Sequence, residues 1–367
     1  MLADHGLRGC GFDLNPAMVV VAKARLISGN ILPSLEPLAL ELIEGVDECG
    51  PTSNKEALDT WFKPRTARFL RCLEQSISRA LVPQGNSDFS NPSHISELST
   101  LACFYYVALF RTIRVALKHF RSTNPTWIRV PSKNDRCSIS RRLMANLFLD
   151  EIVTMSDSIK DRLLPETDGS DIKIMVGDAR CLPLNDYAVD AIITSPPYCT
   201  RIDYAVSTRP ELAVLGVGMY TGFTELRRQL MGGVTIRPDT PSPVKTWGKT
   251  CLKTLDLIKC HRSKASATYY TKQFLQYFSD LELSLKELRR VCGAGRNCVM
   301  VVQDSMYKDI HVDLPSITSE MGINLGFELV NSFPYKVSSS FRTVNPRVRR
   351  HMSKWMPTEA ALFFKSI

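Results

Sequence analysis

The sequence predicts an α/β fold, a sheet with helices on both faces and a helical segment inserted into it. Three observations carry this. From residue 171 onward, short apolar runs alternate with segments of helical spacing, the pattern of strands joined by crossover helices. Near the start, GCGFD at 9–13 reads as a buried strand ending in an acid, with a helix directly after it. Between about 50 and 164 the apolar residues recur at helical spacing with no strand signal.

The elements follow in order. Asn15-Pro16 is a helix start, an N-cap followed by proline in the first turn, and AMVVVAKARLIS continues it. SLEPLALELIEG at 34–45 is a second helix. LDTWFKPRTARFLRCLEQSISRALV, ELSTLACFYYVALFRTIRVALKHF and SRRLMANLFLDEIVTMSDSIKDRLL are three more. PQGNSDFSNPSH reads as a loop, and Asn124-Pro125 stops the helical block. Trp61 and Trp127 fit a packed core as well as a base platform. DIKIMVGDA and VDAIIT are strands, 271–290 is a helix, NCVMVVQDS a strand and LPSITSEMGINLG a helix with a glycine stop. FELVNSFPYKV and EAALFFKSI are the last two strands. Three segments result: 1–48, the start of a core; 49–164, a helical insertion that packs as a cap or helps to read a target; and 165–367, the remainder of the core.

Composition narrows the function. With 44% hydrophobic and 23% charged residues, the 367-residue chain has the make-up of a globular protein. It has no run of 18 apolar residues and no leader pattern at its start, so we expect no membrane span and a cytoplasmic location. Its 11 cysteines form no C-x-x-C pair and suit a reducing compartment better than a disulfide framework. The 6 histidines show no ligand spacing, so no metal is expected. A net charge of +9 is compatible with a polyanionic partner without requiring one.

The most informative stretch is IITSPPYCTRIDY at 192–204. An apolar strand runs into two prolines, which cannot continue a ladder or a helix and so fix a rigid, extended exit. Ser195, Tyr198 and the carbonyls between them are thereby held in place. Asp13 and Asp178 also fall at or just past predicted strand ends, where open α/β sheets bind ligands. A strand-end acid can accept hydrogen bonds from ribose hydroxyls or from an amino group, and it can equally be a turn former.

GFDLNP, VGDARCLPL and DAIITSPPY, in that order, resemble the amino-methylating DNA methyltransferases, and T-S-P-P-Y resembles the cytosine-N4 branch; the adenine-N6 branch more often has Asp where Ser195 stands. The likeness extends over most of the chain. It implies a Rossmann-like class I methyltransferase sheet, S-adenosylmethionine as cofactor and DNA as partner, with a place in a restriction-modification or defence system. Asp13 and Asn15 would face the cofactor ribose, and Asp178 and Ala179 its adenine. Ser195, Pro196, Pro197 and Tyr198 would form the catalytic motif. Ser195 Oγ and the Pro196 carbonyl would accept from the target amino group, and Tyr198 would stack on a base extruded from the duplex. Arg201, Lys264, Arg342, Arg347, Arg349 and Arg350 are the candidate phosphate contacts. Asp203 would orient the loop over the base, and His261 and Ser263 are either near DNA or part of a plain loop.

One departure stands out. The family's glycine-rich first strand and turn are not found: Met1 falls inside the helix that should follow them, and Gly9 and Gly11 lie on the second strand. The sequence therefore suggests a truncated frame, a mis-assigned start or one part of a split enzyme, with an upstream segment or a separate chain supplying that strand. Two other readings stay open: an RNA base amino-methyltransferase, and an inactive methyltransferase fold that binds nucleic acid.

Overall fold

The computed structural model describes residues 5–48, 56–84, 88–89, 91–122, 127–160, 171–199, 203–217, 221–336 and 357–367. The fold is mixed α/β. It divides into two compact units, Met1–Val176 with Ala205–Leu226, and Gly177–Tyr204 with Arg227–Ile367.

In the first unit, β1 (Gly9–Asp13) runs into α1 (Pro16–Ala24) and then α2 (Leu32–Glu44), α3 (Pro64–Leu81), α4 (Pro92–Glu97), α5 (Thr100–Ala116), α6 (Arg141–Lys160) and β2 (Ile172–Val176). Three short helices follow: α7 (Tyr204–Ser207), α8 (Arg209–Val214) and α9 (Thr221–Gln229). β1 and β2 pair in parallel, with Asp13 opposite Val176. Two strands alone are marginal, and these are supported from outside: α1 and α4 pack on β2, and the Val176 amide donates to Ser96 Oγ at 3.0 Å. Gly11 lets the Ile174 side chain lie against the partner strand: a Cβ there would stand 2.8 Å from Ile174 Cδ1, and that methyl would have to turn aside. The core is helical. α5 packs on α1 and α6 and is buried along nearly its whole length, as a helix apolar all round must be. Its two tyrosines are buried with their hydroxyls satisfied, Tyr105 by the Leu35 carbonyl at 2.6 Å and Tyr106 by Glu74 at 2.9 Å. The helices of the 49–164 segment thus pack directly on α1 and α2, and Trp61 belongs to this core, fully buried.

In the second unit, β3 (Val189–Thr194) is followed by α10 (Gly248–Cys260), α11 (Thr271–Val291), β4 (Cys292–Gln303), β5 (Ser305–Tyr307), β6 (Ile310–Val312), α12 (Leu314–Asn324), β7 (Phe327–Lys336) and β8 (Thr358–Ser366). The sheet order is β3-β4-β8-β7, with β3 parallel to β4 and the other pairs antiparallel; β5 and β6 form a separate hairpin. The predicted strands thus fall into a parallel pair and a mixed sheet of four. Phe278, Leu281 and Leu285 of α11 are buried together with Cys298, Met300 and Val302 of β4. α12 lies close on β8: a Cβ at Gly322 would stand 2.9 Å from the Phe364 ring. β3 is an edge strand of this sheet, and its end delivers the Ser-Pro-Pro-Tyr stretch.

Among the described residues no single helix is long and apolar enough to cross a membrane, and no group of three His, Cys, Asp or Glu is placed to hold a metal ion. Among the described residues nine cysteines are free.

Candidate active site

Ser195 follows β3 directly and is exposed. Its hydroxyl donates to the Val301 carbonyl on β4 at 3.0 Å, one position beyond the Thr194–Met300 pair of the ladder. A serine hydroxyl has one hydrogen to give and two lone pairs to offer. With the hydrogen committed to Val301, Ser195 is left as an acceptor towards solvent. The Pro196 carbonyl next to it has no hydrogen-bond partner among the described residues. Two neutral acceptors therefore stand side by side at the end of a strand.

The rest of the motif is fixed at three points. The Pro197 carbonyl accepts from the buried Tyr277 hydroxyl at 2.8 Å. The Tyr198 amide donates to the Tyr204 hydroxyl at 3.3 Å. The Tyr198 hydroxyl donates to Glu359 at 2.9 Å, tying the ring to the start of strand β8. Burial, and then the bond to Glu359, push the Tyr198 phenol up to about 12, so it stays protonated and donating near neutral pH.

Asp13 ends β1 with its carboxylate at the solvent edge, where one oxygen accepts from the Asn15 amide at 2.8 Å. Loss of water around the carboxylate raises its pKa, and the Asn15 bond opposes this. Asn15 is itself a structural residue. It caps α1 by accepting from Ala17 at 3.1 Å, and it donates to Thr208 Oγ1 at 2.8 Å, so its carboxamide is occupied on both sides.

Asp178 and Ala179 lie in the turn after β2, closed by the Cys181 amide on the Asp178 carbonyl at 2.9 Å. Asp178 is not idle. Arg180 binds both its oxygens, at 2.9 Å and 2.7 Å, and also reaches Asp280 at 2.8 Å. Asp280 is buried and accepts from Arg237 as well, at 2.6 Å. Burial alone would raise the Asp178 pKa, but the Arg180 hydrogen bonds and charge hold it below the ordinary value.

Of the candidate phosphate contacts, Lys264 is exposed in the loop after α10. Arg201, Arg342, Arg347, Arg349 and Arg350 lie outside the described residues. Asp203 is buried and paired with Arg227, which makes it an anchor for the chain after the motif. His261 and Ser263 are tied to each other at 2.9 Å, and His261 also to Asp309 at 2.7 Å. Sequence reading missed Val301, Tyr277, Glu359 and Arg180. The first three are far away in the chain and carry no local signal. Arg180 had one, a basic residue two places after a turn-forming Asp.

No family model matches the chain. It is similar to two curated proteins named Type II methyltransferase M.AvaI, from Nostoc sp. (strain PCC 7120 / SAG 25.82 / UTEX 2576) and from Anabaena variabilis, each 29% identical over 152 residues, 38% of this chain and 31% of the relative. It is also similar to Type II methyltransferase M.BsoBI of Geobacillus stearothermophilus, 38% identical over 214 residues, 52% of this chain and 42% of the relative. The chain thus matches less than half the length of these relatives, and what it resembles across those stretches is a Type II methyltransferase.

Proposed function

We propose that the chain carries the catalytic motif of a DNA methyltransferase that uses S-adenosylmethionine and modifies the exocyclic N4 of cytosine, in a restriction-modification or defence setting. The observation that carries this reading is the pair of acceptors at Ser195 and Pro196. The amino nitrogen of cytosine is a poor nucleophile because its lone pair is delocalised into the ring. Its two N–H groups need acceptors, and Ser195 Oγ and the Pro196 carbonyl are neutral acceptors on a rigid support. Accepting both hydrogens favours a pyramidal nitrogen whose lone pair is available. Tyr198, with its hydroxyl anchored on Glu359, presents a ring on which an extruded base can stack. After transfer, the surplus proton leaves to solvent on the exposed Ser195 side. Rate enhancement comes from positioning, and no side chain needs to bond covalently to the base. The likeness to Type II methyltransferases supports the same reaction class.

The residues fit the cofactor unevenly. Asp13 has one carboxylate oxygen with no partner among the described residues and a solvent-facing position, as a ribose diol requires. Asp178 fits an amino group only if Arg180 shares or releases one of its oxygens. When bound, S-adenosylmethionine supplies the electrophilic methyl group. Lys264, and with it Arg201, Arg342, Arg347, Arg349 and Arg350, would contact phosphates.

The test is mass spectrometry of nucleosides from DNA incubated with the protein and S-adenosylmethionine. N4-methylcytosine is the expected product. N6-methyladenine alone would move the protein to the adenine branch, and methylation confined to RNA would overturn the DNA reading.

A further inference from the structure

Beside the motif, within the second unit, lies a cavity of about 230 Å³. Cys199 forms part of its wall, and Tyr277, whose hydroxyl holds the Pro197 carbonyl, forms another part. Phe274 and Tyr307 complete an aromatic lining, edge to face with centroids 5.7 Å apart. Neither Ser195 nor Tyr198 lines it. Its volume is below the roughly 300 Å³ at which pockets for drug-sized ligands begin, so it suits a single planar ring system.

One polar side chain in this wall is open to a ligand. Gln273, in the first turn of α11, is 9% exposed, and its carboxamide has no hydrogen-bond partner among the described residues. Its amide oxygen and nitrogen still reach solvent at the cavity, so a donor and an acceptor are both open to an incoming ligand. At the same cavity, Lys308 stands exposed without an ion pair among the described residues, and its backbone is held at a φ of 56°, a region that non-glycine residues rarely occupy. Tyr307, just before it, is fixed by the Ser266 hydroxyl at 2.5 Å.

We propose that this cavity receives one nucleobase of a DNA strand, a base flanking the one to be methylated, with Gln273 reading its edge and Lys308 contacting its phosphate. This rests on the DNA reading above and deepens it by naming a specificity residue. Aromatic walls accept any base by stacking. The carboxamide, with a donor beside an acceptor, matches the N7 acceptor and amino donor of adenine, the pairing that glutamine makes with adenine elsewhere. The reacting base is excluded because Ser195 does not reach into the cavity.

The experiment is fluorescence anisotropy with labelled single-stranded oligo(dA) and oligo(dT), using the full chain. Wild type should prefer oligo(dA). Gln273→Leu should lower oligo(dA) affinity by about tenfold, the discrimination of one bidentate pair, and leave oligo(dT) nearly unchanged. Gln273→Met keeps the length, loses both polar atoms without adding charge, and should show the same selective loss if the leucine variant fails to fold. Lys308→Ala should weaken both probes equally and flatten their salt dependence. If wild type binds both probes and the Gln273 variants change neither affinity, or lower both equally, the pocket assignment falls and the DNA reading stands. If wild type binds neither probe at low salt, both fall.

Discussion

Replacing Ser195 by alanine should separate chemistry from stability. The hydroxyl is exposed and makes one hydrogen bond, to the Val301 carbonyl at 3.0 Å. A net hydrogen bond contributes about 0.5–1.5 kcal/mol, and an exposed one sits at the low end because water replaces it. The β3–β4 ladder beside it, through Thr194 and Met300, is untouched. Unfolding by urea, followed by tryptophan fluorescence, should therefore shift by less than about 1 kcal/mol. The effect on transfer should be far larger, because one of two preorganised acceptors is gone. Loss of one preorganised hydrogen-bonding group in an active site costs about 10²–10³-fold in rate, and a neutral acceptor belongs at the lower end of that range. Transfer of labelled methyl groups to DNA, measured with cofactor affinity by calorimetry, checks both halves. A rate within about twofold of wild type, well short of the 10²-fold scale, would return Ser-Pro-Pro-Tyr to the status of a stiff turn. A stability loss above about 2 kcal/mol, more than one hydrogen bond accounts for, would make Ser195 a structural residue.

Tyr198→Ala should weaken base retention by about 1–3 kcal/mol, the scale of one stacking contact, while Tyr198→Phe, which loses only the Glu359 anchor, should be milder; equal effects in a transfer assay would refute the stacking role. Asp13→Ala should lower affinity for S-adenosylmethionine by about 1.5–3 kcal/mol per charged hydrogen bond lost. Because partial loss of water around the carboxylate raises the Asp13 pKa, wild-type affinity should begin to fall on acidification at a higher pH than an ordinary aspartate would give, and calorimetry across pH reads both effects. Arg71→Met removes the partner of Glu56 and Glu74 and of the Ala213 and Val214 carbonyls, each at 2.8–3.0 Å, and leaves the buried Glu74 with Tyr106 as its one remaining partner among the described residues. The cost should be about 3–5 kcal/mol. Glu74 is already raised by burial, so its folded form holds a proton more tightly than the unfolded chain does; the deficit should shrink as pH falls through the range just above an ordinary glutamate, and urea melts at several pH values test that sign.

Much of this was legible in the sequence where pattern and local chemistry agree. Asn15-Pro16 marked the start of α1 because an N-cap and a first-turn proline act within a few residues. GCGFD and VDAIIT were found as strands, and the last two strands emerged where expected. α10 was not read out, although Cys251, Thr254, Leu255 and Ile258 are buried at helical spacing. The β5–β6 hairpin has three residues per strand, too few for a period to show. PQGNSDFSNPSH was read as one loop, yet Asn91 caps a short helix there. The motif itself could be read because two prolines constrain their own neighbours. Its supports could not: Glu359 is 161 residues from Tyr198 and Tyr277 is 80 from Pro197, and only the folded sheet and helix bring them together.

Arg180 gives Asp178 a resident partner. Any ligand amino group arriving at that carboxylate meets an exchange, a neutral donor replacing a charged one, and an exchange of that kind yields little net affinity. Discrimination at such a position comes from how well the newcomer fills the space, and much less from the hydrogen bond it forms. Analogues that lack the amino group should then lose less at Asp178 than an unoccupied carboxylate would impose. The displaced guanidinium keeps Asp280 as a second anchor, so it is released from one acid without being set loose.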